Sequence, residues 1–163
     1  MTDFRTKLNT FLFQQPEIES IAANLGLLLA RIYAGFTIMS AGLDKIPLPE
    51  WMVDQVTTIG FPFPTFFAWV ACFTEFGFGL LLVLGLVTRL SGIMLAFTMG
   101  VAAFGYHEVL PLVHIHIAQH YVWLFVVFAA VGAGRYSLDA LIRKPGTAIN
   151  TEWSRLAVPA LIG

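Results

Sequence analysis

Two ionisable residues of opposite sign, Arg31 and Glu75, stand in the middle of long apolar runs. A charged side chain near the centre of a bilayer costs about 3 kcal/mol on insertion scales, so such residues face the protein interior, take a partner and mark function. Facing each other, the guanidinium fork and the carboxylate would bond bidentately. Such a pair is either a static clamp between helices or a proton-handling site, in which Glu75 takes or gives a proton and Arg31 tunes it.

A second group is histidine-rich: His107, His114, His116 and His120 fall in one short stretch, beside Tyr106, Glu108, Tyr121 and Trp123. With a helix beginning near Pro111, His116 and His120 are four residues apart and share a face, while His114 points elsewhere and His107 approaches from the facing helix. Two chemistries follow. A quinone needs an apolar slot and a hydrogen-bond donor at each carbonyl, which His116, His120, Tyr121 and Tyr106 supply, Trp123 being a further donor. Alternatively His107, His116 and His120 ligate zinc, copper or a haem, with Glu108 or Asp44 completing the site. The plain alternative is histidine as an amphipathic residue at a membrane interface.

The elements that must position these groups are transmembrane helices. Hydrophobic residues make up 58% of the 163 residues and charged residues 12%, against about 25% charged in an ordinary soluble domain. Apolar runs at about 23–43, 65–87, 90–106 and 112–132 are each long enough to cross a bilayer, the third being the shortest. The expected fold is all-α: a polytopic membrane four-helix bundle with short interfacial helices. Arg5, Lys7, Arg89, Arg135, Arg143, Lys144 and Arg155 fall on one side of it and only Lys45 on the other, which predicts both termini cytoplasmic. From that side Arg31 lies about 12 Å deep and Glu75 about 18 Å deep, a difference an arginine side chain can span.

Outside the spans, residues 1–22 place Phe4, Leu8, Phe11 and Leu12 at helical spacing beside Arg5 and Lys7, suiting an amphipathic segment on the inner leaflet. Prolines bracket Trp51–Ile59, which predicts an interfacial helix lidding the bundle. Ser137 is a candidate N-cap for a short helix through Arg143, ahead of a cytoplasmic tail over 144–163, and Asp139 reads as part of a solvated turn. The single cysteine, Cys72, excludes a disulfide framework, a Cys-x-x-Cys redox pair and a thiolate zinc site. The net charge of −1 gives no sign of a nucleic-acid partner.

In combination the motifs resemble a known family. Leu29, Arg31 and Gly35 followed by Gly42 and Lys45, then Ile-Gly-Phe-Pro-Phe-Pro at 59–64, then Glu75, Gly77, Gly79, Gly85, Thr88 and Arg89, and finally Gly-Ala-Gly-Arg-Tyr-Ser-Leu-Asp at 132–139, are similar to the DoxX family of small bacterial membrane proteins. The resemblance runs from about Leu25 to Ile142. It implies a four-helix bundle in the bacterial inner membrane and an association with redox chemistry, since the family takes its name from a subunit of a thiosulfate:quinone oxidoreductase. It fixes the fold better than the activity. The expected function is therefore a membrane anchor or quinone-interacting subunit beside a partner oxidoreductase subunit, rather than a complete enzyme. A metal- or haem-binding protein and a non-catalytic assembly or transport component are the alternatives, and self-association through small lipid-facing residues is a further expectation.

Overall fold

The computed structural model describes residues 4, 18–107 and 116–143. Six α-helices and one π-helical segment make up the described chain: α1 (Ile21–Leu43), α2 (Glu50–Ile59), α3 (Pro64–Leu84), α4 (Thr88–Gly100) running on as a π-helix (Val101–Tyr106), α5 (Ile117–Val131) and α6 (Leu138–Arg143). α1, α3 and the continuous helix over Thr88–Tyr106 are long and apolar enough to span a membrane, and α5 is a shorter apolar helix of 15 residues. The protein is thus a helical membrane bundle.

Burial along α1 follows the helical period. Asn24, Arg31, Ala34, Gly35, Ile38 and Gly42 are buried, and they recur every three, four or seven residues. Leu25, Leu29, Ile32, Tyr33 and Phe36 on the remaining face are exposed, as suits a lipid-facing surface. That face is apolar because lipid gives no solvation to polar groups.

Glycines let the helix axes approach. At Gly35 and Gly79, in α1 and α3, an added Cβ would meet backbone of the opposite helix at 2.9 and 2.8 Å, and at Gly42 it would meet the Phe76 nitrogen at 2.6 Å. Small residues at such crossings replace a hydrophobic driving force that lipid cannot provide. Gly92 does the same between α4 and α5, against Phe125 and Ala129 backbone. The core these crossings enclose includes Ala34, Ile38, Leu82, Leu95, Met99, Ala103, Val122, Phe125 and Phe128.

The expected lid is present as α2, which packs on α3 and the π-helix. Met52, Ala68 and Cys72 form a small buried cluster beneath it, and Ile59 at its other end lies 3.4 Å from where a Cβ on Gly105 would stand. Asn24 Oδ1 accepts from the Arg135 backbone nitrogen at 2.8 Å, so the start of α1 and the segment before α6 share one end of the bundle. Loop 44–63, His107 and His116 lie at the other.

Two expected boundaries change. α3 ends at Leu84, because Gly85 (φ 68) and Val87 (φ 48) adopt left-handed backbone and turn the chain directly into α4. α5 begins at Ile117 instead of near Pro111, with His116 in extended backbone (φ −119, ψ 144) as its N-cap. The expectations for the rest of residues 1–17, for Glu108, Pro111 and His114, and for the tail over 144–163 lie outside the described residues.

Candidate functional site

The structure corrects the expected pairing of Arg31 with Glu75. α1 and α3 are antiparallel but staggered: Arg31 lies beside Gly85 and Gly42 beside Cys72–Phe76. Ten residues of helix, about 15 Å, separate the level of Arg31 from that of Glu75. The expectation placed the inner ends of α1 and α3 at one depth, whereas the first ten residues of α1 run past the end of α3.

Arg31 instead ties α1 to the chain after α5. Its side chain is 2% exposed, and Nη1 donates to the Ala133 carbonyl at 3.2 Å while Nη2 donates to the Tyr136 carbonyl at 2.8 Å. Asp139, expected in a solvated turn, is 1% exposed. Its Oδ1 accepts from the Val87 nitrogen at 2.7 Å and Oδ2 from the Thr88 nitrogen at 3.0 Å, which caps α4 from a residue distant in sequence. Its own nitrogen donates to the Gly85 carbonyl at 2.9 Å, and its charge attracts the Arg31 guanidinium. Ser137 caps α6 as expected, accepting from the Ala140 nitrogen at 3.1 Å. This end of the bundle is a structural knot.

Glu75 has a different partner, Lys45, which lies two residues past the end of α1. Lys45 Nζ donates to Glu75 Oε2 in a salt bridge. The Glu75 side chain is 3% exposed and that of Lys45 19%. One turn from Glu75 toward the loop end, the Cys72 thiol meets the Met52 sulfur of the lid at 3.4 Å. The Gly-x-x-Lys ending of α1 was the signal for Lys45: Gly42 brings the end of α1 against α3, and the lysine two residues past the helix then reaches the nearest carboxylate.

Of the histidines, His107 and His116 converge. Their rings lie 3.9 Å apart between centroids, inclined at 30°, and Tyr106 packs edge-on to His107 at 4.9 Å. His116 Nδ1 accepts from the Ala118 nitrogen at 3.3 Å, which leaves its proton on Nε2. His120 does not share a helix face with His116 as expected; its Nδ1 donates to the His116 carbonyl at 3.1 Å. Tyr121 instead stacks on Phe125 at 5.6 Å, and Trp123 is exposed. Among the described residues no three His, Cys, Asp or Glu are arranged to hold a metal ion, so His107, His116 and His120 do not form the expected ligand set. Desolvation, and then the neighbouring His116 ring, hold the His107 imidazole below its ordinary value of 6.5.

Fold and site together define a small helical membrane protein with a buried ion pair under an interfacial lid and an aromatic histidine stack at the same end. Within that class the chain belongs to the DoxX family, whose sequence model matches residues 26–108. A relative in Haemophilus influenzae, described only as an uncharacterized protein, is 29% identical over 143 residues, covering 78% of this chain and 90% of the relative. No solved structure matches the chain.

Proposed function

We propose that the protein is the membrane-embedded, quinone-facing subunit of an oxidoreductase system in the bacterial inner membrane, with both termini cytoplasmic and a partner subunit carrying the electron-donating centre. The observation that carries this reading is the stack of Tyr106, His107 and His116 at the loop end of the bundle. Its donor set fits a quinone head group: the Nε2–H of His116, directed by the bond that Nδ1 accepts, and the Tyr106 hydroxyl. Ile59 of the lid lies against Gly105, the neighbour of Tyr106, and so puts apolar surface beside this part of the stack. π-helical segments recur at functional sites because they re-aim the side chains that follow.

When bound, a quinone supplies two-electron, two-proton redox chemistry. The chain's own contribution is to orient the head group with His116 and Tyr106 and to hold a proton acceptor beside it. His107 is suited to that second task, because its lowered proton affinity keeps the imidazole neutral at physiological pH.

The test is binding of a short-chain quinone to the purified full chain, read by tryptophan fluorescence quenching, together with quinone analysis of its lipid extract. His116→Ala should weaken binding about tenfold, the loss of about one hydrogen bond to the ligand. Equal affinity in native and His116→Ala protein, or no saturable binding at all, overturns the reading.

A further inference from the structure

The Lys45–Glu75 pair is independent of the quinone reading, and the way it is enclosed points to a use. On its inner side the route is closed by backbone: Gly42 lies against Phe76, and Gly35 and Gly79 bring α1 and α3 so close that an added Cβ would stand under 3.0 Å from the opposite helix. Toward the loop, the Met52–Cys72 contact sets buried apolar side chains one turn from Glu75, with Cys72 fully buried and Met52 6% exposed. The polar route out is the Lys45 side chain itself. It belongs to the loop beyond α1, it is partly exposed, and its flexible stem carries an ammonium that water can reach.

We infer that Lys45 and Glu75 form a proton-exchange site open only to the face of the membrane that carries loop 44–63. The step balances simply. A proton from water on that face joins a Glu75 carboxylate oxygen; the Lys45 ammonium keeps its three protons and withdraws along its stem toward the same water. The positive charge entering the site is offset by the one leaving it, so the buried site stays near neutral in both states, which is the condition for a charge to exist there at low cost. Return of Lys45 displaces the proton to the side from which it came. The charged and titratable groups acting on Glu75 are Lys45 from the loop and Cys72 from its own helix; α1 contributes Gly42 and the lid contributes Met52, neither of which titrates.

The experiment is infrared spectroscopy of the full chain in sealed liposomes, following the carbonyl stretch of a protonated carboxyl while one compartment is acidified. Orientation is fixed with an impermeant thiol reagent on Asp54→Cys, an exposed lid position, in a Cys72→Ser background. A band should rise when the loop-side compartment is acidified and stay absent when only the opposite compartment is. Glu75→Gln should abolish it. Should that variant not assemble, Glu75→Asp should shift its frequency and so assign it. A band that follows the opposite compartment or both compartments, or one indifferent to changes at position 75, overturns the inference. Neither result depends on whether a quinone binds at His116, so the two readings fail separately.

Discussion

The Arg31 guanidinium lies directly over Gly85, so close that a Cβ added to the glycine would stand 1.8 Å from Nη1. Gly85 also has φ 68, so two constraints meet in one residue: left-handed backbone, and no room for a side chain. Gly85→Ala must displace the buried arginine from the Ala133 and Tyr136 carbonyls. We expect a loss of about 2–5 kcal/mol, combining backbone strain with overpacking, measured as detergent-solubilised unfolding. Gly77, where an added Cβ meets nothing within 4 Å, is the control. Gly77→Ala should be neutral or slightly stabilising, because alanine favours a helix interior.

Asp139 joins the end of the chain's described part to the α3–α4 turn. Both carboxylate oxygens accept backbone donors, and the residue whose nitrogen one of them takes, Val87, is β-branched at φ 48, a conformation that persists only when its surroundings enforce it. Asp139→Ala should cost about 1–3 kcal/mol by leaving the Val87 and Thr88 nitrogens unpaired. Asp139→Asn should lose less, since one amide oxygen still accepts. Hydrogen exchange at those two amides is the direct measure, and unchanged protection in Asp139→Ala would refute the capping role.

These two residues also show how far the sequence carried. Apolar length, the bracketing prolines and the Ser137 hydroxyl were enough for the membrane helices, the lid and the α6 cap, because each depends on neighbours within a few residues. The pairings were not legible. Depth counted along each helix assumes level ends, and the Gly35, Gly42 and Gly79 crossings set a stagger that moves Arg31 past the end of α3 and brings Lys45 to Glu75. Asp139 looked like a surface charge because its partners, the nitrogens of Val87 and Thr88, are backbone groups with no signature in side-chain types. His116 was read as a helical residue, but its extended backbone makes it a cap and turns its ring toward His107.

The Lys45–Glu75 bridge predicts a coupled pattern of stabilities. Lys45→Met leaves the Glu75 carboxylate buried without its partner and should cost about 3–5 kcal/mol, whereas Glu75→Leu leaves a lysine whose ammonium can withdraw to water and should cost less. The double replacement Lys45→Met with Glu75→Leu should recover most of that, since an apolar pair suits this environment. Thermal unfolding of all four proteins closes the cycle. Additive losses in the double variant would show that the two side chains do not act on each other.

The His107–His116 stack makes the loop end sensitive to acid, and the sign follows from the direction of the shift. His107 lies just beyond the span Thr88–Tyr106 and is held below its ordinary value of 6.5 by desolvation and then by the His116 ring. Between the folded value and the ordinary one, the unfolded chain binds a proton at this position that the folded chain does not. Stability therefore falls as pH drops below about 6.5 and levels off beneath the folded value. His107 is exposed in the bundle, so solvent screening keeps the effect small. His107→Gln removes the titrating group and should flatten that part of the profile, while His116→Gln removes the second contribution and should narrow the fall, so that it is smaller and levels off at less acid pH, without abolishing it. Melting temperatures from about pH 8 to pH 5 are the measurement, and a native profile that rises on acidification would reverse the assignment.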